Sequence, residues 1–224
     1  MAWRDSKASG SRLLLFMASI ILGIAAVVSI QSFSENLEEN IAIQSKTLMG
    51  ADFVIDSNQP PNEKVLAIID SLGGADGRSV GFPSMAVFPK SGDAKLVGVR
   101  GIEGGYPFYG ELETKPVAAA QTYQETGGAL VDATLMLQYG VQKGDSIKLG
   151  NSVFPIMGTL ISAPGTSGIG ASVAPPVIIP YDAVEGTGLI QVRSRIGYDY
   201  YFVAKPEQDL VELDEVVDPQ LDVE

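Results

Sequence analysis

The 224-residue sequence contains no cysteine and no histidine. Without cysteine the chain cannot form a disulfide, so its stability has to come from an apolar core. Without histidine it lacks Ser-His and Cys-His nucleophile pairs, histidine metal ligands and the commonest general base at neutral pH. Paired carboxylates, Ser-Lys dyads and oxygen-ligated calcium remain chemically open, but no residue spacing argues for them. Much of enzyme chemistry is therefore excluded.

Basic residues are scarce as well. The chain has 15 Lys and Arg residues against 27 Asp and Glu residues, which gives a net charge of −12 at pH 7. The isoelectric point is near 4.4. Because no local basic patch interrupts this acidic composition, a nucleic-acid partner or an anionic lipid surface is not expected.

Two segments invite a ligand interpretation that their spacing does not support. The glycine-rich GTSGIG at 165–170 lacks the GK[ST] ending of a phosphate loop and precedes no clear helix start, which favours a flexible loop. Acidic residues crowd the chain after residue 206, but their spacing does not fit an EF-hand. We expect a helix at 206–217 with its acidic residues on the solvent-exposed face. The sequence predicts neither a nucleotide cofactor nor a metal site.

One long apolar run stands out against this background. Residues 13–30 read LLLFMASIILGIAAVVSI, and the run extends to residue 33. At about 1.5 Å per residue, 13–33 covers about 31 Å, close to the hydrocarbon thickness of a bilayer. A cleaved signal peptide is the rival interpretation, but its apolar core is usually about 7–15 residues long, and no A-x-A-like site follows here. We expect an uncleaved transmembrane helix at 13–33.

The charges beside the apolar run predict its orientation. Basic residues precede it and acidic residues follow it: Arg4, Lys7 and Arg12, then Glu35, Glu38 and Glu39. Because basic flanks stay in the cytoplasm, residues 1–12 are predicted to be cytoplasmic. The rest of the chain is then periplasmic, with the span in a bacterial inner membrane.

Small residues line one side of the predicted span. Ser19, Gly23 and Ala26 recur at helical spacing, and small side chains let a neighbouring membrane helix approach closely. This pattern predicts a helix-packing face. Small residues are also common in membrane helices without such a role, and spacing alone does not separate the two interpretations.

The helix is expected to continue beyond the membrane as a stalk at 34–50. Phe33, Leu37, Ile41 and Leu48 recur near helical spacing, and Gly50 is a plausible stop. A single helix over 13–49 would be about 55 Å long. The alternative is a short amphipathic linker that packs on the following domain.

The remaining residues, 51–224, predict an α+β domain made of two subdomains. The first is a βαββ unit, with a strand at 51–56, helix signals at 57–61, a buried stripe at 65–72, and strands at 85–88 and 96–102. The second, β-rich subdomain covers about 129–180. It has a helix-like stretch at 129–141 and two strands around the Gly150-Asn151 turn. A Gly/Pro-rich loop at 163–176 and strands at 177–180 and 198–204 follow.

An aromatic loop, GGYPFYG, lies between the two predicted subdomains. Tyr106, Phe108 and Tyr109 could form an exposed surface for a partner, or their rings could fill the seam between the subdomains. The second interpretation is favoured, since aromatic side chains bury large areas.

Several segments, taken in order, resemble the N-terminal part of an ABC transporter permease of the FtsX/MacB type. The opening WRDSKASGSRLLLFMASIILGIAAVVSI is similar to the first membrane helix of that family. The segments VRGIEGGYPFYGELET, ALVDATLMLQYGVQKGDSIKLG and APPVIIPYDAVEGTGLIQVRSRIGYDYYF resemble its MacB-like periplasmic core domain, in the branch linked to lysophospholipase or lipoprotein-related export permeases.

The resemblance implies a function without catalytic residues in this chain. ATP would be hydrolysed by a separate cytoplasmic ABC ATPase subunit, and the permease would couple that hydrolysis to export or mechanotransmission outside the cytoplasm. The implied partners are this ATPase, the remaining permease helices or a second permease copy, and a periplasmic protein or lipid-like substrate. Family members have at least three further membrane helices. The sequence ends before any of them, so a fragment or a degenerate relative is expected.

Two other function classes compete with this interpretation. A stand-alone membrane-anchored binding or sensor module would need no ATP-linked motion, and a single span cannot line a polar transport pathway. An anchored hydrolase is the weakest alternative, because no nucleophile and base pair is recognisable in the sequence.

Overall fold

The computed structural model of the chain describes residues 2–166, 169–190 and 195–204. The contacts between residues divide the chain into two compact units, 1–45 and 46–224. The acidic segment for which a helix at 206–217 is predicted lies outside the described residues.

The first unit consists of a single long helix, which continues into the first residues of the second unit. This helix, α1, runs over Ala2–Met49, so one helix covers the predicted span and stalk. Its apolar side chains are exposed, with Leu22 and Ile30 each 70% accessible. The segment Leu14–Met49 is long and apolar enough to cross a membrane, with a mean hydropathy of 2.4 in its best window. An exposed apolar helix is more stable in lipid than in water, because each Å² of apolar surface exposed to water costs about 25 cal/mol. The division of α1 into cytoplasmic, spanning and stalk parts stays a prediction.

The described residues of the second unit form nine strands and four short α-helices. The strands are β1 Phe53–Ser57, β2 Gly77–Phe88, β3 Asp93–Gly104, β4 Glu113–Lys115, β5 Ala129–Asp132, β6 Ser146–Leu149, β7 Ser152–Ser162, β8 Pro176–Pro180 and β9 Gly197–Phe202. The helices are α2 Glu63–Ser71, α3 Ala119–Thr126, α4 Ala133–Tyr139 and α5 Ile169–Val173, and two 3₁₀ turns cover Tyr181–Ala183 and Glu185–Thr187.

All nine strands belong to one sheet, in the order β1-β9-β2-β3-β8-β5-β7-β4, with β6 bridging β2 and β7. Most pairs are antiparallel, whereas β3 with β8 and β5 with β7 are parallel. Strands from both predicted subdomains therefore join in one sheet. The mixed helix and sheet class is confirmed, while a separate β-rich subdomain at about 129–180 stays a prediction.

Two apolar clusters lie in the unit, and strand alternation divides the side chains between them. In β8, Val177 and Ile179 belong to the larger cluster, and Ile178 belongs to the smaller one. The larger cluster also takes in Ile69 of α2, and the smaller one takes in Tyr123 of α3. The strand β8 is buried on both faces, as expected for a central strand.

Local signals predicted several elements correctly and misplaced others. The Gly150-Asn151 turn joins β6 and β7 as predicted. Helix α2 begins later than the 57–61 signals indicate, because the side chain of Asn62 caps it by accepting from the Val65 amide at 2.9 Å.

The helix-like stretch at 129–141 is only partly helical. Its first residues form β5, and helix α4 starts where the Asp132 carboxylate accepts from the Thr134 amide at 2.7 Å. An aspartate in this capping position starts a helix and ends the strand before it. The predicted loop at 163–176 also contains the short helix α5.

Candidate functional site: the junction at the end of helix α1

Helix α1 ends at a glycine that no other residue could replace without strain. Gly50 has a φ of +76°, a conformation that costs other residues roughly 1–2 kcal/mol. A Cβ at this position would lie 2.7 Å from the ring of Tyr106. The Gly50 amide donates to the Lys46 carbonyl at 2.7 Å, which closes the last turn.

The carbonyls at the end of α1 find donors in two loops of the second unit. A helix normally leaves its last carbonyls without partners inside the helix. Here the Gly165 amide donates to the Leu48 carbonyl at 2.9 Å, and the Tyr106 hydroxyl donates to the Met49 carbonyl at 3.0 Å. The Phe108 amide donates to the Gly50 carbonyl at 2.8 Å. We call residues 46–52, 104–110 and 163–166 together the α1 junction.

Asp52 adds a charged contact to the α1 junction. Its carboxylate lies 2.6 Å from the Lys46 ammonium, and its side chain is only 2% exposed. The Tyr109 hydroxyl donates to the same carboxylate at 2.7 Å. The Ala204 amide donates to it at 2.9 Å, so Asp52 links the end of α1 to the segment that follows β9. Burial raises the pKa of the Asp52 carboxyl, but the hydrogen bonds from Lys46, Tyr109 and Ala204 outweigh burial and lower it.

A half-buried arginine supports the junction from the sheet. The Arg100 guanidinium donates to the Pro164 carbonyl at 2.8 Å and lies 5.0 Å from the ring centre of Tyr106. It also donates to the Tyr201 hydroxyl and, more weakly, to the Ser79 hydroxyl at 3.3 Å. Because one side chain contacts the 163–166 loop, the 104–110 loop and β9, it holds these parts together.

Tyr201 stays a neutral hydrogen-bond donor in this network. Burial is the main reason that the pKa of its hydroxyl is raised well above the usual range. The Tyr201 hydroxyl donates to the Asp199 carboxylate at 3.0 Å, while its ring stacks on Tyr106 with the ring centres 4.1 Å apart.

The structure places the predicted aromatic residues at the α1 junction. Tyr106 is buried at 4% exposure, and Phe108 and Tyr109 are half-buried. Their role as a partner surface or a subdomain seam stays a prediction. Ser19, Gly23 and Ala26 are exposed residues of α1, and their spacing of four and three residues puts them on one face.

Several residues of the junction and of the network that supports it were missed in the sequence. Asp52, Ser79, Arg100, Asp199 and Tyr201 lie on or beside strands and belong to no recognisable motif. The one usable signal is a charge inside an apolar strand, as in VGVRGI around Arg100, since an unpaired charge is rarely buried. In the described part of the chain, no three acidic residues are placed to hold a metal ion.

The family of the chain follows from its match to known proteins. The family model of the MacB-like periplasmic core domain matches residues 13–219. The chain belongs to this family. The resemblance seen in the sequence is therefore confirmed.

A curated relative and two solved structures are similar to this family member. The uncharacterized ABC transporter permease YbbP of Escherichia coli (strain K12) is 27% identical over 207 residues, which cover 92% of this chain and 25% of YbbP. The chain thus spans about a quarter of that relative. A domain of a permease protein from Porphyromonas gingivalis has a TM-score of 0.45 and 13% identity, covering 70% of this chain and 68% of that one. The periplasmic region of MacB from Actinobacillus actinomycetemcomitans has a TM-score of 0.44 and 10% identity, covering 77% of this chain and 84% of that one.

Proposed function

We propose that this chain is the N-terminal part of an ABC transporter permease subunit that couples a cytoplasmic ATPase to export or mechanotransmission outside the cytoplasm. Membership in the MacB-like periplasmic core domain family supports the transporter context. ATP hydrolysis belongs to a separate subunit in this proposal, since the sequence contains no Walker motif.

The α1 junction is the observation that carries this proposal. The carbonyls of Leu48, Met49 and Gly50 accept hydrogen bonds from two loops, and Asp52 binds Lys46 of the last turn. A displacement of that turn therefore displaces both loops and, through Ala204, the segment after β9. A continuous helix can carry such a displacement between compartments.

The proposal includes a membrane topology and a set of partners. Residues 1–12 lie in the cytoplasm, 13–33 cross the bacterial inner membrane, and 51–224 lie in the periplasm. The small-residue face of Ser19, Gly23 and Ala26 packs on a remaining permease helix or on a second permease copy. A periplasmic protein or a lipid-like molecule is the substrate.

Reading the DNA beyond the codon for Glu224 is the first test. Three further apolar spans in frame, with a neighbouring gene for an ABC ATPase, would support the permease. A stop codon at this point, with neither feature nearby, would favour the stand-alone anchored module.

A helix break in α1 tests the coupling itself. Ile41 lies in α1 with 57% of its side chain exposed, so replacing it removes no core packing. Ile41→Pro deletes a helix hydrogen bond and kinks the helix, at a cost of about 3 kcal/mol. In the intact transporter, this variant should keep ATP hydrolysis and lose export, whereas the control Ile41→Ala should keep both. Unchanged export by the proline variant would count against a mechanical role for α1.

A further inference from the structure

A cleft opens on the sheet beside the α1 junction. It has a volume of about 460 Å³ and lies between strands β2, β3 and β8 on one side and the described residues 165–166 and 170–174 on the other. Its polar lining includes Asp199 and Arg100, and its apolar lining includes Pro83, Ala171 and Pro176. A volume of this order is enough for a small molecule.

The lining of this cleft includes two glycines of the sheet, of which Gly81 leaves the backbone open and Gly98 is covered by Ala174. A Cβ on Gly81 would meet no atom within 4 Å, whereas one on Gly98 would lie 3.2 Å from the carbonyl oxygen of Ala174. Strand pairing sets Gly81 opposite Gly197 and Gly98 opposite Pro176. A thin apolar ligand can therefore lie directly on the backbone of the sheet at Gly81.

The polar end of the cleft can accept hydrogen bonds from a ligand, but few of its own N–H and O–H donors are free. The Arg100 guanidinium already donates to Ser79, Tyr201 and the Pro164 carbonyl. Its distance of 3.8 Å from the Asp199 carboxylate is too long for a hydrogen bond. Because the guanidinium also donates to the Tyr106 hydroxyl at 3.3 Å, an incoming anion would find a carboxylate in the cleft and an arginine with four of its five N–H groups engaged.

Asp199 retains accepting capacity. Within the described residues, the hydrogen bonds that reach its carboxylate, from Ser79 at 2.7 Å and from Tyr201 at 3.0 Å, both end on Oδ2. The side chain is 28% exposed, so its other oxygen, Oδ1, can accept from a ligand. A hydrogen bond with an ionised donor or acceptor is roughly twice as strong as one between neutral groups.

We propose that this cleft binds a small apolar molecule with a primary ammonium group, which donates to Asp199 while its hydrocarbon part lies over Gly81 and beside Pro83. The net charge of −12 also attracts cations toward the protein. This binding site is independent of the coupling role proposed above, because it needs no motion of α1.

Three probes with the same chain and different head groups test the chemistry: n-hexylammonium, n-hexanol and n-hexanoate. Each is titrated calorimetrically into the full chain in nanodiscs. We expect the ammonium probe to bind at least tenfold more tightly than hexanoate, with hexanol between them. Equal binding of hexanoate, or no ammonium binding above that of empty nanodiscs, would overturn the proposal.

Two variants test the location. Gly81→Val fills the cleft floor where space is open, and valine is favoured in strands, so the fold should be kept. It should weaken ammonium binding at least tenfold, whereas the control Gly186→Ala, outside the cleft lining, should not. Asp199→Asn should weaken ammonium binding at least fivefold and hexanol binding less. If neither cleft variant weakens ammonium binding, the ligand binds elsewhere on the protein and the proposed site is refuted.

Discussion

Replacing Gly50 with alanine tests whether the end of α1 is held as tightly as the contacts indicate. The residue has a φ of +76°, so alanine would be strained by about 1–2 kcal/mol. The new Cβ would also lie 2.7 Å from the Tyr106 ring. Forcing this ring aside costs roughly 1–3 kcal/mol by analogy with overpacked cores. The total expected loss is therefore about 2–5 kcal/mol.

Gly92 provides a control that separates these two costs. It has nearly the same φ, +77°, but a Cβ there would meet no atom within 4 Å. Gly92→Ala should therefore lose only the backbone part, about 1–2 kcal/mol. Both substitutions also reduce the freedom of the unfolded chain to the same extent, so this effect cancels in the comparison.

Thermal unfolding of both variants in one detergent measures the difference. For a unit of this size, about 1 kcal/mol shifts the melting temperature by roughly 2–4 °C. Gly50→Ala should therefore melt about 2–12 °C below Gly92→Ala. Near-ultraviolet circular dichroism should also change in the Gly50 variant, because the Tyr106 ring stacks on Tyr201. Equal melting temperatures for the two variants would show that Tyr106 does not hold the helix end.

Three further predictions concern the junction and the membrane helix. Since the pKa of the Asp52 carboxyl is lowered, its stabilisation is present above the unfolded-state pKa of about 3.9 and is lost as the pH falls through the folded-state value. The stability advantage of the natural chain over Asp52→Asn should thus shrink below about pH 4, and urea titrations showing the same advantage at about pH 3 and pH 7 would contradict this. Arg100→Met should lower the free energy of unfolding by about 1–3 kcal/mol, because it leaves buried hydroxyl and carbonyl partners unpaired; a loss below about 1 kcal/mol in urea titration would refute the supporting role. Gly23→Leu should reduce the amount of assembled transporter recovered by affinity purification more than Leu14→Phe does. Equal recovery of the two variants would contradict a helix-packing role for Gly23.

Local sequence signals accounted for the elements whose causes are local. The turn at Gly150 and Asn151 and the stripe around Ile69 in α2 are examples. Strand β2 begins at Gly77, earlier than the predicted start at residue 85. The sequence did not indicate this extension, because Gly81 and Pro83 interrupt the pattern expected of a strand. Pro83 is tolerated because, among the described strands, β9 pairs with β2 only as far as Gly81 and β6 pairs only at Ala86 and Val87, so one edge of β2 is unpaired at Pro83.

The α1 junction could not be predicted because its contacts are distant in sequence. Asp52 meets Tyr109 across 57 residues and Ala204 across 152 residues. No periodicity or short motif records such pairs, since they arise only when β1 and β9 align in the sheet. The aromatic loop was recognised, but its contact with the end of α1 depends on the same tertiary arrangement.

The membrane placement of α1 is the claim on which the proposed coupling depends. The chain has no cysteine, so single cysteines can be introduced at Ser9, before the span, and at Ser91, an exposed residue between β2 and β3. Intact spheroplasts are treated with a membrane-impermeant maleimide, and the intact mass of the protein is measured in the membrane fraction. We predict labelling at position 91 only, with residues 1–33 retained. Labelling at position 9 in intact spheroplasts, or a soluble product lacking these residues, would contradict the account.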